Sequence, residues 1–556
     1  MIYITEEQTK KCAGITSLFV SFNYNPDIIN AVKILMGSNY DKRTKIWEVP
    51  IVYLSNLLDS LTEYDDISVK LLPDVDTPCQ QYDIKPMKTD LLEYQKDAVE
   101  YGLNMDSWLL LDGMGLGKTI ETIALAYNLK EYKGLEHCLV VCGVNSAKTN
   151  WKREIEKHSD LTCRILGETI TKKGKHKIGS VKQRLEQLQQ EIPEFFIITN
   201  IETLRDKAII KELNNPKAVN KIDMIAVDEI HHCKSSQSIQ GKNLLALTGF
   251  KYRLGLTGTL LLNNPIDCYT PLSFIGAERG TLSNYRYVYT AYINGAPAGY
   301  HNLDMLKYQL SRCSLRRTKD VVDLPPKTVL TEYVDMDTAH RQFYDNVKDG
   351  IKQEVDKVKL NTASVVAMLI RLRQATVFPS ILTTEPIVSS KIERCVDMAR
   401  QIVEGGEKLV IFSTFKEPVY EVAKQLQEYG VVVATGNESS DQIDEAICKL
   451  QTDDSTRIFV GTWSKCGTGI TLTAASSMIF LDTAWTNAEF VQNQDRIYRI
   501  GTNRPVTIYN LVCTDTVDEF VLSLVNAKGA MSDYVIDDKM TDTTAALLKQ
   551  YILDLD

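Results

Sequence analysis

Short apolar runs recur along this chain, each closed by glycine, proline or charge, and between them lie stretches whose apolar positions return every three or four residues. Trp108–Leu111, His137–Val141, Phe195–Thr199, Met224–Val227 and Arg253–Thr259 form one series; Leu409–Ser413, Val431–Thr435, Ile458–Thr462, Met478–Asp482 and Val506–Leu511 form a second. Runs of this kind, separated by helical periodicity such as Thr119–Lys130, predict strands buried on both faces. The fold class expected is therefore α/β, with two doubly wound parallel-sheet lobes.

The first eighty residues follow another pattern. Leu18–Phe22 and Ile46–Val52 read as strands, Pro26–Met36 as an amphipathic helix opened by Pro26 and Asp27, and a further helix begins at Leu54. This predicts a small α+β module over residues 1–80; no element is assigned to the polar start, MIYITEEQTKKC. A loop bearing Pro73, Pro78 and Pro86 follows it.

Composition narrows the class. A length of 556 residues predicts about three to four domains, and 44% hydrophobic with 24% charged residues is ordinary for a soluble protein. No apolar run approaches the roughly 18 residues of a membrane span, so no membrane partner is expected. The twelve cysteines are scattered, with no C-x-x-C, which points away from zinc and disulfides and toward a reducing, intracellular setting. A net charge of -9 weakens a nucleic-acid partner without excluding one, because binding depends on where cations cluster.

The chemistry concentrates after the first strand, in WLLLDGMGLGKTIET at Trp108–Thr122, read as the G-x-x-x-x-G-K-[ST] of a phosphate loop. Gly113, Gly115 and Gly117 are expected to free backbone N–H groups for phosphate, Lys118 to reach the β- and γ-phosphates of ATP, and Thr119 to ligate Mg²⁺. Upstream, LLEYQKDA offers Gln95 for the adenine edge, with Tyr94 lining the pocket. A later strand delivers Asp228-Glu229-Ile230-His231: adjacent buried acids are costly unless used, so Asp228 is expected on Mg²⁺ through water and Glu229 on the attacking water. His231 is the candidate signal carrier, His232 a surface residue, and Thr257, Gly258 and Thr259 in RLGLTGT the groups that bond across to the acids.

The order LLEYQ, DGMGLGKT, DEIHH, LTGT resembles the first lobe of the Snf2-type ATPases of helicase superfamily two, and SLRRTKDVVDLPPK at Ser314–Lys327 resembles the segment joining the two lobes in that family. The resemblance covers roughly 88–537 and implies two RecA-like lobes over 88–330 and 331–537, with helical protrusions near 273–313 and 340–382, a C-terminal helix at Thr516–Asp537 and a tail over 538–556. In the second lobe it implies completing residues in GTWSKCGTGITLTAAS, including Gly469, and in QNQDRIYRIG. There Gln492 meets the nucleotide, while Arg496 and Arg499, read as one face of a helical stretch, act as arginine fingers, worth about 10³–10⁵ in rate. Tyr498, Leu260 and Thr486-Asn487 depart from the family's usual His, Pro and Asn-Pro.

Within the first module, FNYNPDIINAVKILMGSNYDKRTKIWEVP resembles the HARP domain of annealing helicases, carried by Tyr24, Lys33, Tyr40, Asp41, Thr44, Lys45 and Trp47. The lysines beside Tyr40 and Trp47 could bind backbone and stack on a base at a fork, or the aromatics could be core and the lysines a solvated rim. The function implied is a monomeric ATP- and Mg²⁺-dependent translocase on double-stranded DNA, acting on branched or forked DNA, in a bacterial or phage-infected cytoplasm. Candidate DNA contacts are Asn150 and Trp151 in a turn after the second strand, Thr199, Lys416, Thr462 and Lys465, with Lys33, Lys45 and Trp47 in the module, and the basic loop TKKGKHK at Thr171–Lys177 beside them. Rival readings are a motor that clears proteins such as RNA polymerase from DNA, a nucleosome remodeller, an RNA motor and a nucleotide-gated DNA-binding scaffold.

Overall fold

Parallel strands buried on both faces need helices on either side, and the computed structural model is built that way twice. It describes the chain except residues 9–15, 36–37, 65, 72–79, 144–146, 171–175, 259–264, 294–295, 356–361, 467–469, 486, 524 and 526–556. Met1–Gly113 with Gly117–Val321 form one unit, and Met114–Leu116 with Val322–Asp556 the other.

In the first unit a seven-stranded parallel sheet runs Ser314–Leu315, Ser107–Leu110, Tyr252–Leu256, Ile222–Asp228, His137–Cys142, Phe196–Asn200, Cys163–Ile165. Leu110, Val140, Ile198, Ala226 and Leu254 pack with Ile123, Ala124 and Trp151 of the covering helices. Because every strand runs the same way, its carboxyl edge gathers the loops after Leu110, Asp228 and Leu256, the edge where such folds hold ligands. The helices Leu282–Tyr289 and Leu303–Cys313 flank a hairpin, Thr290–Ile293 with Ala296–Tyr300.

The N-terminal module is part of this unit. Its sheet runs Asn39–Asp41, Ile46–Pro50, Thr16–Phe22, Ile2–Gln8, Ile67–Lys70. The inward face, with Ile4, Leu18, Val20 and Val49, packs with Val32 and Leu57 from the helices Pro26–Ile34 and Leu54–Ser60. Asn25 caps the first helix, accepting from Asp27 N–H at 2.9 Å. Ile2–Gln8, left unassigned from the sequence, is the strand that pairs with both Thr16–Phe22 and Ile67–Lys70. Its inward positions are Ile2, Ile4 and Glu6, and a carboxylate at the third interrupts the apolar alternation; Glu6 is buried because Arg312 of helix Leu303–Cys313 pairs with it.

The second unit holds a six-stranded parallel sheet in the order Lys327–Val334, Val506–Cys513, Ser477–Phe480, Leu409–Ser413, Ile458–Thr462, Val431–Ala434. Alternate residues of one strand serve its two faces, Ile411 packing with Val460 and Leu511 on one side and Phe412 with Phe459 and Phe480 on the other. Two buried ion pairs brace it, Arg373 with Asp482 at 3.1 Å and Lys391 with Asp518. Residues 517–523 are helical, and 526–537 of the expected C-terminal helix lie outside the described residues. Among the described residues no helix is long and apolar enough to cross a membrane.

Candidate functional site

The strand Ser107–Leu110 ends where the helix Lys118–Lys133 begins, so the loop between them lies at a helix N-terminus with its N–H groups unpaired by the helix. Gly115 and Gly117 take φ of 84° and 95°, conformations open to glycine. A Cβ on Gly117 would lie 2.6 Å from Gln95 Nε2. Gly113 differs from expectation: its N–H donates to Arg317 C=O at 2.9 Å and is not turned to the loop. Counted back from Gly117, the first position of G-x-x-x-x-G-K-[ST] is Asp112 and not glycine. That carboxylate is fully buried.

Lys118 curls back onto the loop, its Nζ donating to Asp112 C=O at 2.9 Å and Gly113 C=O at 3.4 Å. Thr119 is half-buried in the helix's first turn. Tyr94 and Gln95 are buried beside the loop; Gln95 Oε1 accepts from Leu92 N–H at 3.1 Å and its Nε2 donates to the Tyr94 hydroxyl at 3.3 Å. Both sides of that amide are thus engaged within the protein, so reading a base would exchange these bonds.

Asp228 closes the strand Ile222–Asp228, and Glu229 follows in a left-handed conformation, φ 49°, which turns the chain sharply between the two acids. Trp151 Nε1 donates to Asp228 Oδ2 at 2.8 Å. His231 Nδ1 lies 3.2 Å from Glu229 Oε2 and 2.9 Å from Thr257 Oγ1, joining the acid to the next strand's end. Burial disfavours both charges, but His231 and then Lys118 hold the Glu229 carboxyl below its ordinary range, while burial and the charge of Glu229 push Asp228 up. The two neighbouring acids are thereby set apart, Glu229 holding its charge more readily than Asp228. Gly258 follows Thr257, and Thr259 lies outside the described residues. His232 is exposed, its ring 4.5 Å from that of His231.

This donor set fits a nucleotide's metal better than a protein-held one. Among the described residues no three His, Cys, Asp or Glu side chains come together as a cage, and Mg²⁺ characteristically takes one or two protein ligands with phosphates and water supplying the rest.

Arg317 belongs to this site, although in the sequence it reads only as part of the linking segment. It lies over the Tyr94 ring at 4.9 Å, holds both oxygens of Asp112 through Nε at 3.1 and 3.0 Å, and reaches Glu121 Oε1 through Nη2 at 2.8 Å.

In the second unit Arg496 and Arg499 are not on a helix. The helix Asn487–Gln494 ends before them and the chain continues in turns. They still converge: Arg496 Nη1 donates to Ile470 C=O at 3.3 Å and Arg499 Nη1 to Thr471 Oγ1 at 2.9 Å. Gln492 is half-buried on the helix, and Gly469 lies outside the described residues.

Several expected DNA contacts are corrected. Ala147–His158 is a helix and not a turn, with Trp151 1% exposed in the core, its one polar atom on Asp228. Thr199 is buried with its hydroxyl on Thr203 Oγ1 at 2.9 Å, and Thr462 is buried at its strand's end. Trp47 is core, packed against Tyr40 at 5.0 Å, so it is no stacking platform. Asn150 is half-buried; Lys416, Lys465, Lys33 and Lys45 are exposed. Residues 171–175 of the basic loop lie outside the described residues, and His176–Ile178 is a strand.

Residues 94–381 match the SNF2-related domain, and residues 390–501 the helicase conserved C-terminal domain. The chain is a member of the SNF2-related family. It is 26% identical over 86% of its length to an uncharacterized ATP-dependent helicase of Mycoplasma pneumoniae, covering 45% of that protein. It is 27% identical over 81% to the chromodomain-helicase-DNA-binding protein 1-like of Danio rerio, covering 44%, and 24% identical over 83% to the DNA annealing helicase and endonuclease ZRANB3 of Bos taurus, covering 42%. This SNF2-related chain therefore spans less than half the length of these relatives. A solved SWI2/SNF2 ATPase core of Sulfolobus solfataricus in complex with dsDNA is 24% identical, with TM-score 0.38, covering 86% of this chain and 98% of that one.

Proposed function

We propose that this SNF2-related chain is an ATPase that uses Mg²⁺ and drives translocation along double-stranded DNA, with branched or forked DNA its preferred substrate. The observation that carries the ATPase reading is the convergence, at one carboxyl sheet edge, of Lys118 with Asp228 and Glu229, close enough for the lysine's charge to act on both acids. Lys118 would leave its two carbonyls for the β- and γ-phosphates, and the half-buried Thr119 and Asp228 would hold the metal, Asp228 through water. Bound Mg²⁺ would neutralise phosphate charge. Glu229, kept ionised by His231, would polarise the attacking water, and Thr257 would sense that state through the same imidazole.

The branched-DNA reading rests on the module's hairpin. Asp41 Oδ1 accepts from Arg43 N–H at 2.8 Å and Lys45 takes φ 58°, a tight turn that holds Lys42, Arg43 and Lys45 in solvent. Beside it Tyr40 is partly exposed and Tyr24 is 86% exposed, so cations for backbone and rings for bases share one small domain. The relative named as an annealing helicase lends support by kinship.

Steady-state ATP hydrolysis on blunt duplex, single-stranded and forked DNA of equal length, with Lys118→Ala as blank, tests both parts. Forks are expected to stimulate most, and Lys42→Glu/Arg43→Glu/Lys45→Glu to bring fork stimulation down to the duplex level. Equal stimulation by all duplexes would leave a general duplex translocase, and hydrolysis indifferent to DNA would overturn the DNA motor.

A further inference from the structure

The segment Ser314–Leu315 that ends the first unit's sheet continues into a clamp on the phosphate loop. Leu111 N–H donates to Leu315 C=O at 2.7 Å, Gly113 N–H to Arg317 C=O at 2.9 Å, and Arg317 N–H to Asp112 Oδ1 at 2.9 Å. Here the loop carries an acid at the first position of its motif, 0% exposed, with Glu121 of the following helix 2% exposed beside it. Two buried carboxylates at the root of an anion-binding loop oppose its task unless a cation meets both. Lys118, which follows in the same loop, is turned to backbone carbonyls.

Arg317 meets them with each part of its guanidinium. Nε spans Asp112, Nη2 bonds Asp112 and Glu121, Nη1 donates to Tyr94 C=O, and the plane covers the Tyr94 ring. Three elements are joined in this way: the first turn of helix Glu93–Asn104, which presents Tyr94 and Gln95, the entrance of the loop at Asp112–Gly113, and the first turn of helix Lys118–Lys133. Lysine carries the same charge but has neither the planar fork nor the stacking surface. Arg316, the other arginine of the pair, is exposed.

We propose that Arg317 is a positioning residue for the nucleotide, fixing the base-side turn at Tyr94–Gln95 and the phosphate-loop entrance at Asp112–Gly113 as one body. This rests on reading the loop as the ATP site. Its signature is a role in geometry, which charge alone does not restore.

The test is steady-state ATP hydrolysis with saturating DNA, together with direct binding of a fluorescent ADP analogue, on the full chain. Arg317→Lys is expected to raise KM for ATP at least tenfold and weaken the analogue by a similar factor, with kcat at saturating ATP within about threefold; Arg316→Ala leaves all three as in wild type. If Arg317→Lys does not fold, Asp112→Asn, which keeps the shape of the acid while removing its charge, is expected to show the same rise in KM. Wild-type KM and analogue affinity in a folded Arg317→Lys or Asp112→Asn protein would overturn the proposal while leaving the ATP site intact. A wild-type chain that binds the analogue no better than Lys118→Ala would overturn the ATP site and this inference together.

Discussion

Trp151 shows how one side chain can be core and chemistry at once. Its ring packs under the sheet, and its indole N–H holds Oδ2 of Asp228 and so orients the carboxylate. Partners of this kind orient a ligand and typically contribute about 10–100-fold in metal affinity. Trp151→Phe keeps most of the packing and removes the donor, so the Mg²⁺ concentration for half-maximal ATP hydrolysis should rise by about that factor while kcat at saturating Mg²⁺ changes little; titration of hydrolysis against Mg²⁺ reads it. The same residue shows a limit of reading sequence: Asn150-Trp151 follows an apolar strand and invites assignment to an exposed turn. The burial that makes Trp151 a core residue comes from a helix whose apolar face, Ala147, Trp151 and Ile155, is sparse among charges.

At the scale of elements, the phosphate loop depends on its strand, its helix and the glycines between. Gly117 sits at φ 95° with Gln95 against it, so Gly117→Ala costs about 1–2 kcal/mol in backbone conformation alone. The expected outcome is a matching drop in the denaturant stability of the chain and loss of fluorescent ADP-analogue binding. Ten strands of the two parallel sheets were legible because buried parallel strands need unbroken apolar runs, and Leu109, Val140 and Ile411 stand in such runs; Cys163–Ile165, Ser314–Leu315 and the mostly exposed Lys327–Val334 were not, because they are short or lie at a sheet edge. Harder to read were elements whose inward positions hold charge: Glu6 hides the strand Ile2–Gln8, and Arg317 sits in the segment Arg316–Lys319, which offers no apolar pattern. A pattern of residues names the acids of the site, Asp228 and Glu229, through their place at a strand's end. It cannot show that the amide of Gln95 is already bonded at both atoms, nor that the N–H of Gly113 is turned to a carbonyl two hundred positions on.

At the scale of the molecule, each unit is held by ion pairs inside its own fold as well as by its apolar core. Lys391 is fully buried in the second unit, and Asp518, which accepts from it, also accepts from Thr376 Oγ1 at 3.1 Å and Cys513 N–H at 3.1 Å. Burial disfavours the Lys391 ammonium, but Asp518 outweighs it and leaves the group's pKa above the ordinary lysine value. The stability from this shift is therefore fully present below the unfolded lysine's pKa of about 10.4 and is lost as pH rises through the higher folded value. Lys391→Met strands the carboxylate, and equilibrium denaturation at neutral pH should show a loss of about 3–5 kcal/mol.

The pairing of Glu6 with Arg312 belongs to the first unit in the same way, and it changes what a truncation means. Arg312 lies on the helix Leu303–Cys313, where Tyr308 also packs against the module's core, and Arg279 reaches Glu48 at 3.6 Å. Cutting away the first seventy residues would strip an apolar face and take Glu6 from the buried Arg312 guanidinium. The module is welded where a sequence read as separate domains suggests a tether, so a shortened chain is a damaged first unit and not the same unit without an appendage. Charge changes on the hairpin at Lys42, Arg43 and Lys45, which leave the weld intact, are therefore the change that tests the proposed fork preference without undoing the fold.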